Sequence, residues 1–186
     1  MIYTTEELIK RHKNHYGIKK SIDDGKYYKV SHGLYSDVNP LLNELECIFA
    51  NYPNAVLTME SAFAYYGLTD YVPDKYHIAT NQKAHKILNE KVHQIYMTDE
   101  ILNIGKQVTQ TKYGSINIYD KERMLIELFR LKKKIDYSIF KEVVGSYRRL
   151  ATNNELDNHK IVKYCSLFKN GASIRREIQE IILWKL

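Results

Sequence analysis

"KKSIDDGKYYKVSHGLYS" runs from Lys19 to Ser36: lysines and an isoleucine, a lone glycine, then aromatic residues alternating with polar ones up to His-Gly-Leu-Tyr. Gly25 fits the position just past a helix ending at Asp24, because glycine takes left-handed backbone without a Cβ penalty. Beyond it, Tyr28, Val30 and Leu34 alternate with Lys29, the period of a half-buried strand. His32-Gly33 supplies the tight turn of a hairpin. Working backwards, the helix opens at Asn14 or His15. Ile18 and Ile22 lie four apart on its inner face, and Lys13, Tyr16 and Lys20 project the other way. Upstream, Thr4 and Glu7 form the S/T-x-x-E capping box of a first helix, Thr5 to about Lys13. Helix, helix and hairpin in this order read as a short winged helix-turn-helix over residues 1–36. Pro40, in "SDVNPLL", marks the boundary that follows.

The rest divides in two. Residues 37–120 read as mixed α/β: a helix in "NPLLNELECIFANYPN" stopped by Pro53, a buried strand in "AVLT", and a short helix in "TMESAFAYYGL" between Thr58 and Gly67. Strands follow in "KYHIAT" and "VHQIYMT" with a helical "NQKAHKILNEK" between them, and then a hairpin in "KQVTQTKYGSINIYD" turning at Tyr113-Gly114. Residues 121–186 read as a helical bundle. Asp120, Asp136 and Asp157 serve as caps, and Met124, Leu125, Leu128 and Leu131 form an apolar stripe. Asn170-Gly171 reads as the stop of the helix begun at Asp157. The expected class is α+β: a short winged helix-turn-helix, a mixed α/β segment and a carboxy-terminal helical bundle, the last two forming one domain over residues 37–186.

Charge is uneven along the chain. Residues 1–36 carry seven Lys/Arg against four Asp/Glu, residues 37–120 six against ten, and residues 121–186 fifteen against eight. A basic head and tail around an acidic middle suit a polyanionic partner, though a charged helical face is also ordinary solvated surface. No apolar run reaches the roughly 20 residues of a membrane span, and "MIYTTEELIKRHK" lacks the apolar core of a secretory signal. Cys47 and Cys165 stand alone, which fits buried thiols in a reducing compartment. The expectation is a cytoplasmic protein without a membrane partner.

Catalytic signatures are missing: the sequence has no Gly-rich phosphate loop, GxSxG, HExxH or kinase motif. His12 and His15 have an H-x-x-H spacing but no third ligand nearby. His77, His85 and His93 recur every eight residues across strand, helix and strand, a spacing with no metal-site logic, and read as coincidence. Glu44, Glu46, Glu60, Asp70 and Asp74 gather in the acidic middle without the D-x-D or D-x-E run of a nucleotidyltransferase. The sixteen tyrosines read as packing. The chain is expected to be neither an enzyme nor a holder of any metal or cofactor. The head carries the sharper chemistry. Lys10, Arg11 and Lys13 suit phosphate anchoring, and His15, Tyr16, Lys19 and Lys20 place the second helix in a major groove. Lys29 and His32 put the hairpin on the adjacent backbone. Asp23 and Asp24 oppose phosphate if they face it.

Three motifs in register also carry a resemblance. "KVSHGLYSD" resembles the R-G-x-Y wing of AbiEi-type antitoxins of type IV toxin–antitoxin systems, with His32 where arginine is common. "YPNAVLTMESAFAYYGLTDYVPDKYHIAT" is similar to their A-V-[IL]-[ST]-x-x-S-A-x-x-x-x-G-L-T-D-x-x-P core, and "YDKERMLIELFRLKKKID" to their Y-D-x-E-R helix. Ser61, Gly67, Asp70, Pro73, Glu122 and Arg123 match. The resemblance implies a winged helix that binds inverted repeats in its own promoter DNA as an autorepressor. It also implies a carboxy-terminal domain that counteracts a nucleotidyltransferase-type toxin without needing a stable complex. Glu122 and Arg123 are then either a structural ion pair or part of the antitoxin surface. The alternatives are a stand-alone winged-helix regulator with a sensing carboxy-terminal domain, and a metal-dependent nucleic-acid-processing enzyme.

Overall fold

The computed structural model describes residues 1–112 and 114–183. It is α+β, 49% helical and 19% strand, and its contacts divide it into two units. The first takes Met1–Ala55 and Val108–Asn117; the second takes Val56–Gln107 and continues from Ile118.

The first unit opens on a strand absent from the sequence reading, β1 (Ile2–Thr4), before α1 (Thr5–His12), α2 (His15–Asp23), β2 (Tyr28–Ser31) and β3 (Leu34–Ser36). The expected caps are present. Thr4 Oγ1 accepts from Glu7 N–H while the Glu7 carboxylate accepts from Thr4 N–H at 2.7 Å. Asn14 caps α2 through Gly17 N–H at 2.8 Å. Gly25 and Gly33 take positive φ where the turns were read. β1 pairs antiparallel with β3, which pairs with β2, giving the sheet order β1-β3-β2. Tyr3, Leu8 and Ile18 form the core, and Ile9, Ile22, Tyr27 and Tyr35 pack against it.

"NPLLNELECIFANYPN" is not one helix but a 3-10 turn, Pro40–Leu42, followed by α3 (Glu44–Asn51). Asn43 sits between them in non-helical backbone with φ −136°. Ser31 and Asn51 side chains bond at 2.6 Å within this unit. Glu46 accepts from Thr111 Oγ1 at 2.6 Å, and Asn117 Nδ2 donates to the carbonyls of Pro53 and Ala55 at 2.7 and 2.8 Å.

The second sheet has the order β6-β5-β4-β8-β7, from β4 (Val56–Leu57), β5 (Tyr76–Asn81), β6 (Val92–Met97), β7 (Lys106–Gln110) and β8 (Ser115–Tyr119). α4 (Met59–Tyr65) follows β4, and a four-residue α5 (Asp99–Leu102) follows β6. Of the expected β7–β8 turn, Tyr113 lies outside the described residues. The helix expected in "NQKAHKILNEK" is absent, and this stretch is turn and coil. The reason is geometric. β5 and β6 are parallel neighbours, with Tyr76 opposite Val92 and Asn81 opposite Met97, so the link must climb back along a six-residue strand, about 20 Å. A ten-residue helix spans only about 15 Å, whereas extended chain reaches about 3.3 Å per residue. Gln94 holds the coil in place: its Oε1 accepts from Ile87 N–H at 2.8 Å and its Nε2 donates to His85 O at 3.1 Å.

Helices α6 (Lys121–Arg130), α7 (Tyr137–Thr152), α8 (Asn158–Cys165) and α9 (Gly171–Ile178, continued as a π turn over Gln179–Leu183) complete the unit. Asp120, Asp136 and Asp157 cap as expected. Asn170-Gly171 does the reverse of what the sequence reading expected: α8 has already ended at Cys165, and Asn170 is the residue from which α9 starts. A Cβ on Gly171 would lie 1.6 Å from the Cys165 carbonyl oxygen, so close approach of chain to chain requires glycine here. Nearly all of α6 is buried, from Glu122 to Phe129. Both cysteines are free and buried. Among the described residues, no helix is long and apolar enough to cross a membrane.

Candidate nucleic-acid interface

The first unit brings the head residues named from sequence onto its exterior. Lys10, Arg11 and Lys13 are exposed around the end of α1, and His15, Tyr16, Lys19 and Lys20 are exposed on α2. Lys29 and His32 are exposed on the β2–β3 hairpin. Tyr16 is 76% exposed although it sits in a helix with a buried face. At about 100° per residue, His15, Lys19, Asp23, Tyr16 and Lys20 follow one another around about 140° of α2, opposite the buried Ile18 and Ser21. Four of these five positions offer a donor or a cation, and they crowd the first turns of the helix, the part that meets base edges when such a helix enters a major groove. Asp23 lies in the middle of the strip but at its carboxy-terminal end. There it also opposes the helix dipole, an arrangement that costs rather than adds stability.

The geometry of the helix pair follows from two local devices. Lys13 ends α1 with a φ of 65°, in the left-handed region, leaving only Lys13 and Asn14 between the helices. Gly17 then passes so close to α1 that a Cβ would lie 2.8 Å from the His12 carbonyl oxygen. The hairpin is tied to the start of α1, where Thr5 N–H donates to Gly33 O at 2.9 Å. Arg11 is exposed, yet its guanidinium lies over the Tyr3 ring at 4.6 Å, so part of its binding capacity is spent within the unit. The helix break at Lys13-Asn14 also separates the two histidines of the H-x-x-H spacing. His12 packs against Tyr27 with ring centroids 5.6 Å apart and planes nearly perpendicular, while His15 is exposed. Among the described residues, no group of three His, Cys, Asp or Glu is placed to hold a metal.

In the second unit, the matched residues serve several separate internal roles. Buried Ser61 accepts from His77 N–H at 2.8 Å and donates to Lys75 O at 3.3 Å. Gly67 terminates α4 with a φ of 63°. Asp70 is exposed, and its backbone N–H donates to Glu142 at 2.7 Å; the Thr69 hydroxyl donates to the same carboxylate at 2.6 Å. These two bonds hold the Glu142 carboxyl below its ordinary range. Pro73 lies in the loop before β5. Glu122 and Arg123 do not pair with each other. Glu122 accepts from Asp157 N–H at 2.9 Å, whereas fully buried Arg123 bonds Glu127 one turn on, at 2.7 Å. Adjacent helical residues diverge by about 100°, while i and i+4 share a face. Neither residue is available to an exterior surface. The Arg-x-x-x-Glu spacing was the sequence signal for the true pair.

The reading of His77, His85 and His93 as coincidence is corrected in part. Parallel register sets His77 opposite His93, with ring centroids 5.0 Å apart, and leaves His85 in the connecting coil. A scan of protein-family models and a search of curated proteins find no match to this chain.

Proposed function

We propose that this chain is a DNA-binding autorepressor and the antitoxin of a type IV toxin–antitoxin system, acting in the cytoplasm against a nucleotidyltransferase-type toxin. The observation that carries the DNA-binding half is the element order β1-α1-α2-β2-β3 with β1 paired to β3. This order supports reading residues 1–36 as a winged helix-turn-helix without its leading helix, and its second helix presents an exposed strip of His15, Tyr16, Lys19 and Lys20. The antitoxin half rests on the three AbiEi-like sequence motifs.

A gel shift on the DNA upstream of the chain's own gene, titrated with salt, tests the first half. Specific binding with a steep salt slope is expected, since each neutralised phosphate contributes about 0.9 to it. Lys13→Ala, Lys20→Ala and Lys29→Ala are each expected to weaken binding and reduce the slope by about 1. Equal binding by a chain lacking residues 1–36 overturns the assignment. Asp23→Asn removes the one acid within the strip and is expected to tighten binding to scrambled duplex about two- to fivefold, read by fluorescence anisotropy. Co-expression with a neighbouring nucleotidyltransferase-like gene tests the second half, with growth rescue as the expected result.

A further inference from the structure

Two guanidinium groups share one carboxylate in the second unit. Glu127, fully buried, accepts through Oε1 from Arg123 Nε at 2.9 Å, and the same oxygen lies 2.7 Å from Arg123 Nη2. Through Oε2 it accepts from Arg130 Nε at 3.0 Å and Nη2 at 2.5 Å. Arg123 Nη1 donates to the carbonyls of Ile101 and Ile104, and Nη2 to Met97 Sδ. The trio therefore carries an uncompensated positive charge, and its outlet is Arg130, whose side chain is 26% exposed. Buried charge is expensive unless balanced, so a balancing anion is favoured where that side chain emerges.

Arg130 emerges into a cleft of about 170 Å³. Lys134, exposed and without an ion-pair partner among the described residues, adds a second cation from the short turn after α6. Across from them lie Glu60 on α4, and His77, His93 and Tyr96 on β5 and β6. The carboxylate of Glu60 is engaged by His77, Nε2 to Oε2 at 3.4 Å. His77 Nδ1 faces the Ser61 hydroxyl at 3.4 Å. Burial pulls the His77 pKa below its ordinary value, against the opposing pull of Glu60, and His93 lowers it further. His77 thus turns Nε2 to Glu60, while exposed His93 lines the same cleft. Before any histidine is counted, Glu60, Lys134 and the Arg123–Glu127–Arg130 trio leave the site with a net charge of about +1, which disfavours a metal cation and favours an anion.

We propose that this cleft binds a phosphate monoester, its oxygens held by Arg130, Lys134 and His93. A tetrahedral group with three free oxygens matches a guanidinium, an ammonium and an imidazole N–H converging from different elements. The volume admits the phosphate and the first group bonded to it. Such a phosphate has two sources, a small phosphorylated metabolite or the 5′ end of a nucleic-acid strand. The site lies wholly in the second unit and does not depend on DNA binding by the first.

The test is histidine NMR on the full chain, titrated with inorganic phosphate, ribose 5-phosphate and a 5′-phosphorylated dinucleotide. The same dinucleotide without its phosphate, and chloride at matched ionic strength, serve as controls. Saturable shifts of His77 and His93 with phosphorylated probes alone are expected. Shifts with the first two probes but not the dinucleotide identify a free metabolite, and the strongest response to the dinucleotide identifies a strand end. Lys134→Gln and His93→Gln alter exposed side chains, leave the trio intact, and are each expected to weaken binding about tenfold. No response to any phosphorylated probe up to about 10 mM overturns the proposal. An equal response to chloride, or unchanged affinity in both variants, does the same.

Discussion

Replacing Glu127 with leucine is expected to lower the stability of the protein by about 3–5 kcal/mol, the cost of stripping a buried charge of its partner. Arg123 has no exposed surface, so its guanidinium cannot turn to water once the carboxylate is gone. It lies between the rings of Tyr119 and Phe168, 4.5 and 4.6 Å from their centroids. Burial pushes the Tyr119 phenol up in pKa, out of reach of ionisation in the neutral range, so it offers no replacement charge. Arg130 differs because it can swing outward. The double variant Arg123→Met/Glu127→Leu removes both buried charges and is expected to be more stable than Glu127→Leu alone, although the carbonyls of Ile101 and Ile104 then lose a donor. Urea unfolding followed by circular dichroism measures both variants against the parent. A Glu127→Leu chain as stable as the parent would mean that the trio does not hold the second unit together.

Gly171→Ala is expected to cost about 3 kcal/mol or more, at the upper end of what overpacking does. The new methyl would meet Cys165 backbone atoms, the oxygen at 1.6 Å and the carbon at 2.6 Å, with no flexible side chain to give way. The link between α8 and α9 must open, and α9 carries the buried Ile174 and Ile178. Gly145→Ala provides the contrast. A Cβ there meets nothing within 4 Å, and the position lies inside α7, where alanine is favoured over glycine by up to about 1 kcal/mol. Thermal melts of the two variants should therefore move in opposite directions. A melting temperature of Gly171→Ala equal to the parent's would contradict the described path between α8 and α9.

What the sequence disclosed was local. The Thr4–Glu7 box, the Asp120, Asp136 and Asp157 caps and the turns at Gly25 and Gly33 each depend on residues within one helical turn or one hairpin. β1 carries no local signal because three residues form a strand only when β3, some thirty positions later, pairs with them. "NQKAHKILNEK" contains good helix formers, and the helix is lost because so short a link must span the whole length of a parallel strand pair. The candidate DNA face was legible because its residues are clustered along one segment. The cleft was not, since Glu60, His77, His93 and Arg130 meet through strand register and helix packing that leave no spacing rule in the chain. Even so, Arg130 and Lys134 stand four apart, as do Arg123 and Glu127, a pattern visible in advance.

The first unit is finished by residues that arrive late. Glu46, Pro53 and Ala55 find their hydrogen-bond partners in Thr111 and Asn117, which lie beyond more than fifty residues of the second unit. On a ribosome adding about 5–20 residues per second, residue 117 follows residue 55 by about 3–12 s. During that interval the amino-terminal segment waits while most of the second sheet is being made. Its maturation is therefore timed by downstream synthesis, and a nascent chain halted before residue 108 carries the basic helix and hairpin without the segment that completes their unit.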